Sequence, residues 1–377
     1  MDDPQYISME LLTVSTTHAA DLTLTPNSSA SYNSSHETYN TFAYKIIIPV
    51  VWGLIIFIGA VGNIIVVFTM CSHGGRSMPR STTNCYIINV ALADLAFLSI
   101  TVPITIAHYV SYNWVYGEIM CKFQNYIAYV SLLSTCLTLT AMTIDRYFAI
   151  VHPIRSLHSR TPRGAAIICI AIWLASGAAC SPYLMVFGLE LKNSQTVCMR
   201  TWSLGWEKAM TVMVVLVTYV VPLSVILVSY TFILRFLWQH RIGVRKELDH
   251  DSDSTESVIG VGTTIARRRK KVAKMVAVVV ILFAITWLPI HLFNLCYALI
   301  PNFPQSQPLY DLKIFAHTLS YTSSCINPFV YTIMGDGFRK AFRESLCGCR
   351  GGSPSYHSRP SYPRRSGSTI ETRLNGE

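Results

Sequence analysis

Several short polar clusters interrupt long apolar runs, and their residue types suggest chemistry. Asp94 closes Asn89-Val-Ala-Leu-Ala-Asp94, Asp145-Arg146-Tyr147 ends another run, and Trp287-Leu-Pro289 and Asn327-Pro328-Phe-Val-Tyr331 break two more. A carboxylate in apolar surroundings must be protonated, hydrated or matched by a cation. No Lys or Arg falls at the depth of Asp94 in the other runs, whereas Thr135, Ser131, Ser323, Ser324, Asn63 and Asn327 offer oxygens there. That set suits a sodium ion; a hydrated, purely structural Asp is the alternative. Asp145 can neutralise Arg146 in one state and free it in another. Pro222, Pro289 and Pro328 each remove a backbone hydrogen bond and kink a helix, giving hinges in three neighbouring helices. Tyr230 and Tyr331 lie toward the same ends, where their phenols could meet through water. No activated nucleophile, metal-ligand cluster or phosphate loop appears, so the chain does not read as an enzyme.

The elements that position these groups are membrane helices. Half of the 377 residues are apolar and 13% are charged, against roughly 25% charged in soluble domains. A helix needs about 20 mostly apolar residues to cross a bilayer core. Seven stretches qualify: roughly 45–71, 82–110, 119–151, 165–187, 207–237, 272–300 and 311–334. Val276–Phe283 is continuously apolar, unlike the alternating strands of a membrane barrel. Buried helices of soluble α/β cores are rarely this long. The expected fold is therefore an all-α membrane protein, a seven-transmembrane helix bundle.

Basic residues set the orientation. Residues 1–44 and the connections 111–118 and 301–310 carry no Lys or Arg. The opposite set carries Arg76, Arg80, Arg155, Arg160, Arg163, the run Arg267-Arg-Arg-Lys-Lys271 and the C-terminal residues. The N-terminus is thus expected outside and the C-terminus inside, at the plasma membrane. The net charge of +10 becomes a topology signal and a surface for anionic lipid, not a nucleic-acid footprint.

Four segments follow: an extracellular disordered arm (1–44), the bundle (45–334), an amphipathic inner-surface helix (335–347) and a disordered cytoplasmic tail (348–377). No basic stretch with an apolar run behind it opens the chain, so no cleaved signal is expected. The arm carries Asn-x-Ser acceptors at Asn27 and Asn33, predicting glycosylation. Cys121 and Cys198 both face the oxidising side, which predicts a disulfide tying the loop over the bundle's mouth. Phe338, Phe342 and Leu346 recur every four residues among basic ones, as in a helix lying on a membrane. Cys347 and Cys349 behind it are candidate palmitoylation sites. Ser and Thr within 249–257 and 353–369 suit phosphorylation.

Together, in this order, the motifs resemble those of rhodopsin-like G protein-coupled receptors. The matches are Gly62-Asn63, Leu92-Ala93-Asp94, Cys121, Asp145-Arg146-Tyr147, Trp173, Pro222 with Tyr230, Phe283 with Trp287-Leu288-Pro289, and Asn327-Pro328-Phe329-Val330-Tyr331. The resemblance implies an outer ligand pocket, an outward swing of the sixth helix and an inner cavity for a Gα subunit, with contacts from Asp145, Arg146 and Tyr147. Two residues depart from the pattern. Arg269 stands where an acid often pairs with the Arg of the third helix, and Cys136 replaces the branched aliphatic residue near Pro222 and Phe283.

Ala128 stands where amine receptors have Asp, and Tyr321 where opsins have the retinal Lys, so both classes are disfavoured. Met120–Ile127, Thr135–Met142, Leu157–Arg163 and Leu312–Tyr321 look most like kisspeptin receptors, then galanin and allatostatin-A receptors. The first likeness implies an amidated neuropeptide ligand, a Gq-type protein and phospholipase C; the others imply Gi. A transporter or channel is the distant alternative, disfavoured by the lack of internal repeats and of paired midplane charges. Helical spacing and depth nominate Gln124, Ala128, Tyr129, Leu132, His291, Asn294, Ile314 and His317 for the pocket. Of the acids at its mouth, Glu118, Glu207 and Asp311, the expected partners for a ligand Arg are Glu207 or Asp311.

Overall fold

In a computed structural model, the described residues are 28–72, 81–111, 113–156, 160–192, 195–201, 203–248, 256–304, 306–335, 338–339 and 342–343. Seven long helices account for most of them. Helix α1 is Ser28–Ser72, α2 spans Thr82–Ser111, α3 is Gly117–Val151, and α4 is Pro162–Cys180 with a further turn at Tyr183–Val186. Helix α5 joins Leu204–Val215 to Val221–Leu248, α6 is Glu256–Leu299 and α7 is Gln307–Met334. Between α4 and α5, strands β1 (Phe187–Lys192) and β2 (Gln195–Arg200) pair as an antiparallel hairpin.

Local sequence explains several boundaries. Thr161 caps α4 by accepting from the Gly164 amide at 3.1 Å, and Pro162 follows at the first helical turn, where its missing N–H costs nothing. Two helices contain a π-helical turn, Phe97–Thr101 in α2 and Leu216–Val220 in α5. Each turn ends two residues before a proline, Pro103 and Pro222. The wider turn makes room for a ring that cannot donate to the preceding turn.

Six helices are long and apolar enough to cross a membrane: Tyr44–Cys71, Thr82–Ser111, Gly117–Val151, Pro162–Val186, Gly205–Gln239 and Arg269–Leu299. Their bounds lie within a few residues of those expected. Helix α7, the seventh expected span, is less apolar along its length than these six. Its interior face is polar: Lys313, Ser320, Ser323, Ser324 and Asn327 are all buried. Helix α1 also starts at Ser28, inside the segment expected to be an arm, and α6 starts at Glu256, well before the expected span.

Helix α3 is the most enclosed of the six. Leu132, Cys136, Leu139 and Met142 form one stripe, buried against Met275, Val276, Val279 and Phe283 of α6 and Val66, Ile87 and Val90 of α1 and α2. Outward faces carry exposed Phe57, Phe68, Leu174, Leu227 and Phe315, a belt suited to lipid rather than water. Polar side chains cross-link the interior. Asn89 Nδ2 donates to Thr138 at 2.7 Å, Trp173 Nε1 donates to Asn89 at 2.8 Å, and Trp52 Nε1 donates to Thr318 at 2.8 Å.

Beyond α7, Phe338 is buried against the inner core and its ring stacks parallel to Phe342, in line with the expected apolar face. Asn27, Cys347, Cys349 and residues 249–255 and 353–369 lie outside the described residues, as do the side chains of Asn33 and Ser257.

One close approach needs glycine. A Cβ at Gly62 would stand 2.9 Å from Cγ of the Pro328 ring, whereas one at Gly53 would meet nothing within 4 Å. A proline ring cannot swing aside, so Gly62→Ala should destabilise by about 1–3 kcal/mol. Thermal melting of the detergent-solubilised protein checks this: Gly62→Ala melts several degrees lower and Gly53→Ala does not. Equal melting temperatures would remove the packing argument.

Candidate functional site: an outer cavity and an inner switch

The hairpin closes the mouth of the bundle at the end expected to face outside. The Cys121–Cys198 disulfide joins α3 to β2, as expected. The strand is tied further by the Trp114 amide, which donates to the Thr196 carbonyl at 2.7 Å, and by the Thr201 amide, which donates to Val186 at 2.8 Å. Val197, Cys198 and Met199 are buried in succession, so both faces of β2 are covered.

Beneath it lies a cavity of about 1270 Å³ including its open mouth. Gln124, Ala128, Tyr129 and Leu132 line it from α3, Glu207 from α5, His291 and Asn294 from α6, and His317 from α7. These positions recur at helical spacing on each inner face, the signal that nominated them. Asp311 and Ile314 do not line it. They lie on the side of α7 that faces α1: Tyr44 Oη donates to Asp311, and Ile314 packs with Trp52. Glu118 is half-exposed in a pair with Lys122 at 2.6 Å. Glu207 is therefore the acid that reaches the cavity.

Sequence reasoning missed the α2 and loop walls. Thr101 and Thr105 enter through the π-turn region of α2, and Tyr183, Phe187, Met199 and Arg200 enter from the hairpin side. A period-2 pattern in Phe187-Gly-Leu-Glu-Leu-Lys192 was the available signal for a strand. The π-turn has no such signal.

The cavity's polar groups fall into two sets. Gln124 Oε1, His291 Nε2, Asn294 Oδ1 and His317 Nε2 are buried with no hydrogen-bond partner among the described residues. Buried polar atoms are ordinarily bonded, so four of them around one cavity mark a surface for a polar neutral group. The second set is charged. Arg200 Nη2 donates to Tyr129 Oη at 3.0 Å, and its Nη1 lies 3.5 Å from Glu207 Oε1. Tyr129 stacks on Tyr183 with ring centroids 4.0 Å apart. Burial opposes the charge of Arg200, but Tyr129, Tyr183 and Glu207 outweigh it and its pKa moves up.

Deeper, the expected switch residues come together. Phe283, Trp287 and His291 stack in series, each pair of rings 5.8 Å apart. The Cys136 thiol donates to the Thr218 carbonyl at 2.9 Å. That carbonyl lies one turn before Pro222, which has no N–H to return, so the cysteine supplies a polar partner that an aliphatic residue would lack. The Tyr230 hydroxyl donates to the Ala273 carbonyl at 2.9 Å, and the Tyr331 hydroxyl is buried with no partner among the described residues.

Around Asp94, Asn327 Nδ2 donates to Oδ2 at 2.9 Å and Asn63 Nδ2 donates to the Ser324 carbonyl at 2.9 Å. Thr135 and Ser323 are buried, and Ser131 Oγ and Asn63 Oδ1 have no partner among the described residues. Asp94 is a buried acid with no ion pair among the described residues.

At the inner end, Asp145 pairs with Arg146 as expected, and also with Arg160, whose Nε and Nη2 each donate at 2.8 Å. Arg146 Nη2 donates to Thr83 at 2.6 Å, and Arg160 Nη2 donates to Thr82 at 3.2 Å. The sequence had marked Arg160 only as a topology charge.

A disulfide-capped cavity above a proline-hinged core with a buried Asp-Arg pair defines a seven-helix membrane receptor. The family of 7 transmembrane receptors (rhodopsin family) matches residues 62–331, and the chain belongs to it: a rhodopsin-like G protein-coupled receptor, not an enzyme. Among its relatives is the KiSS-1 receptor of Homo sapiens, 39% identical over 311 residues, 80% of this chain and 75% of that protein. The KiSS-1 receptor of Rattus norvegicus is 38% identical over 322 residues, 83% of this chain and 77% of its own. Galanin receptor 2a of Danio rerio is 33% identical over 305 residues, 81% of this chain and 79% of its own.

Because the disulfide anchors the strand that carries Arg200, Cys121→Ser or Cys198→Ser should release it. Radioligand binding and surface staining should both fall at least about tenfold, the equivalent of ~1.4 kcal/mol. Two single variants that bind normally would show that the bond is dispensable.

Proposed function

We propose that this chain is a plasma-membrane receptor for an amidated neuropeptide of kisspeptin type, acting through a Gq-type G protein and phospholipase C. Its N-terminus faces outside and its C-terminus inside. The observation that carries the reading is the cavity itself. Four unpartnered neutral polar atoms from α3, α6 and α7 suit a terminal carboxamide, which offers two N–H donors and a carbonyl. Glu207 supplies a carboxylate for a ligand guanidinium. The KiSS-1 receptors among the relatives support the same choice, and the likeness to them is the ground for Gq.

Helix α6 is free to swing because Arg269 replaces the acid that would hold Arg146. In the resting state Asp145 holds it instead. Agonist bound against His291 and Asn294 would shift the helix about Pro289, uncovering Arg146 and Tyr147 for Gα. Receptor kinase and arrestin then act on the inner Ser- and Thr-rich segments. Asn27 and Asn33 are glycosylated and Cys347 and Cys349 palmitoylated in this reading. The galanin receptors among the relatives favour a second reading, a galanin-type peptide receptor coupled to Gi.

A screen of amidated neuropeptides on cells expressing the chain, followed by nucleotide exchange on purified Gq and Gi, tests both. A peptide ending in Arg-Phe-amide should raise calcium and accelerate exchange on Gq. Its free-acid form should be weaker by at least about tenfold, since a carboxylate offers no donor to Gln124 or Asn294. Indifference to the amide, or a response confined to Gi and cyclic AMP, would replace this reading by the second.

A sodium ion at Asp94 is the remaining part of the proposal. Ser131, Thr135, Ser323, Ser324 and Asn327 would share its coordination with Asp94, stabilising the closed state. Raising sodium against choline should then weaken agonist affinity, and Asp94→Asn should abolish the dependence. Equal sodium sensitivity in the variant would remove the ion from the site.

A further inference from the structure

Arg200 and Glu207 are the only Asp, Glu, Lys or Arg residues lining the cavity among the described residues. They face each other across 3.5 Å, and both are largely buried. Arg200 is not free to leave the region. Its strand is fixed by the Cys121–Cys198 bond two residues earlier and by the pairing of Phe187 with Arg200 across the hairpin. We infer that Arg200 is a tethered stand-in for the ligand's cation: it occupies Glu207 in the empty receptor and yields that carboxylate when a ligand guanidinium enters. The inference rests on the kisspeptin-type reading and adds the residue that sets how strongly the pocket selects for charge.

The geometry favours exchange over a permanent pair. The Arg200 contact to Glu207 is long, whereas its bond to Tyr129 is 3.0 Å and its guanidinium lies 5.9 Å from the centre of the Phe187 ring. Those two partners remain when Glu207 is surrendered, so the guanidinium keeps a hydrogen bond and an aromatic face. Glu207 has no second cation in the cavity. Without Arg200 or a ligand it would be a buried, unpaired carboxylate, the arrangement that costs most. Arg200 therefore weakens the pull of Glu207 on a ligand Arg and keeps the empty pocket neutral.

The competing arrangement is a fixed strut, in which Arg200 merely holds the hairpin against α5. The two differ in how removing Arg200 affects a charged and a neutral ligand. The experiment measures binding to full-length receptor in membranes of a peptide ending in Arg-Phe-amide and of its citrulline-Phe-amide counterpart, a neutral analogue of the same shape. Wild type, Arg200→Gln, Arg200→Lys and Glu207→Gln are compared, with surface staining as the folding control.

The exchange model expects Arg200→Gln to bind the Arg peptide about tenfold more tightly, with the citrulline peptide unchanged. Arg200→Lys should stay near wild type, and Glu207→Gln should lose the preference for Arg. An unchanged preference in Arg200→Gln, with the preference lost in Glu207→Gln, overturns the inference and leaves the kisspeptin-type reading standing. Equal loss of both peptides in Arg200→Gln overturns it in favour of the strut. A wild-type receptor that binds neither peptide removes the underlying reading and the inference with it.

Discussion

Inside a bilayer no water is available to satisfy a polar group, and that constraint organises this molecule. Every polar side chain at membrane depth must find a partner within the bundle. The result is a set of cross-helix bonds rather than a purely greasy core: Asn89 joins Thr138 and Trp173, Trp52 joins Thr318, and Asp94 joins Asn327. These bonds tie α2 to α3, α4 and α7, and α1 to α7. They also account for the polar inner face of α7. Its Ser, Asn and His residues turn inward, and its neighbours rather than lipid answer them. Among the described residues, buried polar atoms without a partner remain around the cavity, at Gln124, His291, Asn294 and His317, and deeper in the bundle, at Asn63, Ser131 and Tyr331.

The same accounting explains the irregular turns. A proline within a helix deletes a donor, and its ring crowds the preceding turn. In α5 the π-turn before Pro222 relieves the crowding, and the Cys136 thiol bonds the Thr218 carbonyl. Cys136 stands out in sequence as a departure from its family's pattern. In the structure it is a weak hydrogen-bond donor placed against a backbone carbonyl at the hinge. The departure thus changes how α3 and α5 are joined.

Much of this was legible in the sequence. Span positions, the disulfide and eight of the residues lining the cavity follow from apolar length, the side on which cysteines fall, helical spacing and acids at helix ends. What was hidden depends on rotation and depth. Asp311 and Glu207 look alike as acids at helix ends, yet one faces α1 and the other the cavity. The bond from the Tyr230 hydroxyl to the Ala273 carbonyl of α6 likewise depends on rotation and had no signal in the sequence. The hairpin was hidden because six residues of alternating pattern inside a polar loop are a faint signal. Its consequence is large, since it brings Arg200 into the pocket.

At the inner face, a missing acid is offset by an extra base. With Arg269 in place of a carboxylate, α6 cannot anchor Arg146 by an ion pair, and closure rests on Asp145. A buried carboxylate bonded to one arginine would hold it tightly, because separation would leave an uncompensated charge. Asp145 has two: Arg160 donates to both of its oxygens. When Arg146 turns away, Asp145 keeps a full partner, so release does not strand its charge. Arg160 sits in the connection between α3 and α4, and Thr82 accepts a bond from it in turn. The lock has therefore moved from α6 to the connection following α3. Arg146 in turn keeps Thr83 as a second partner beside Asp145.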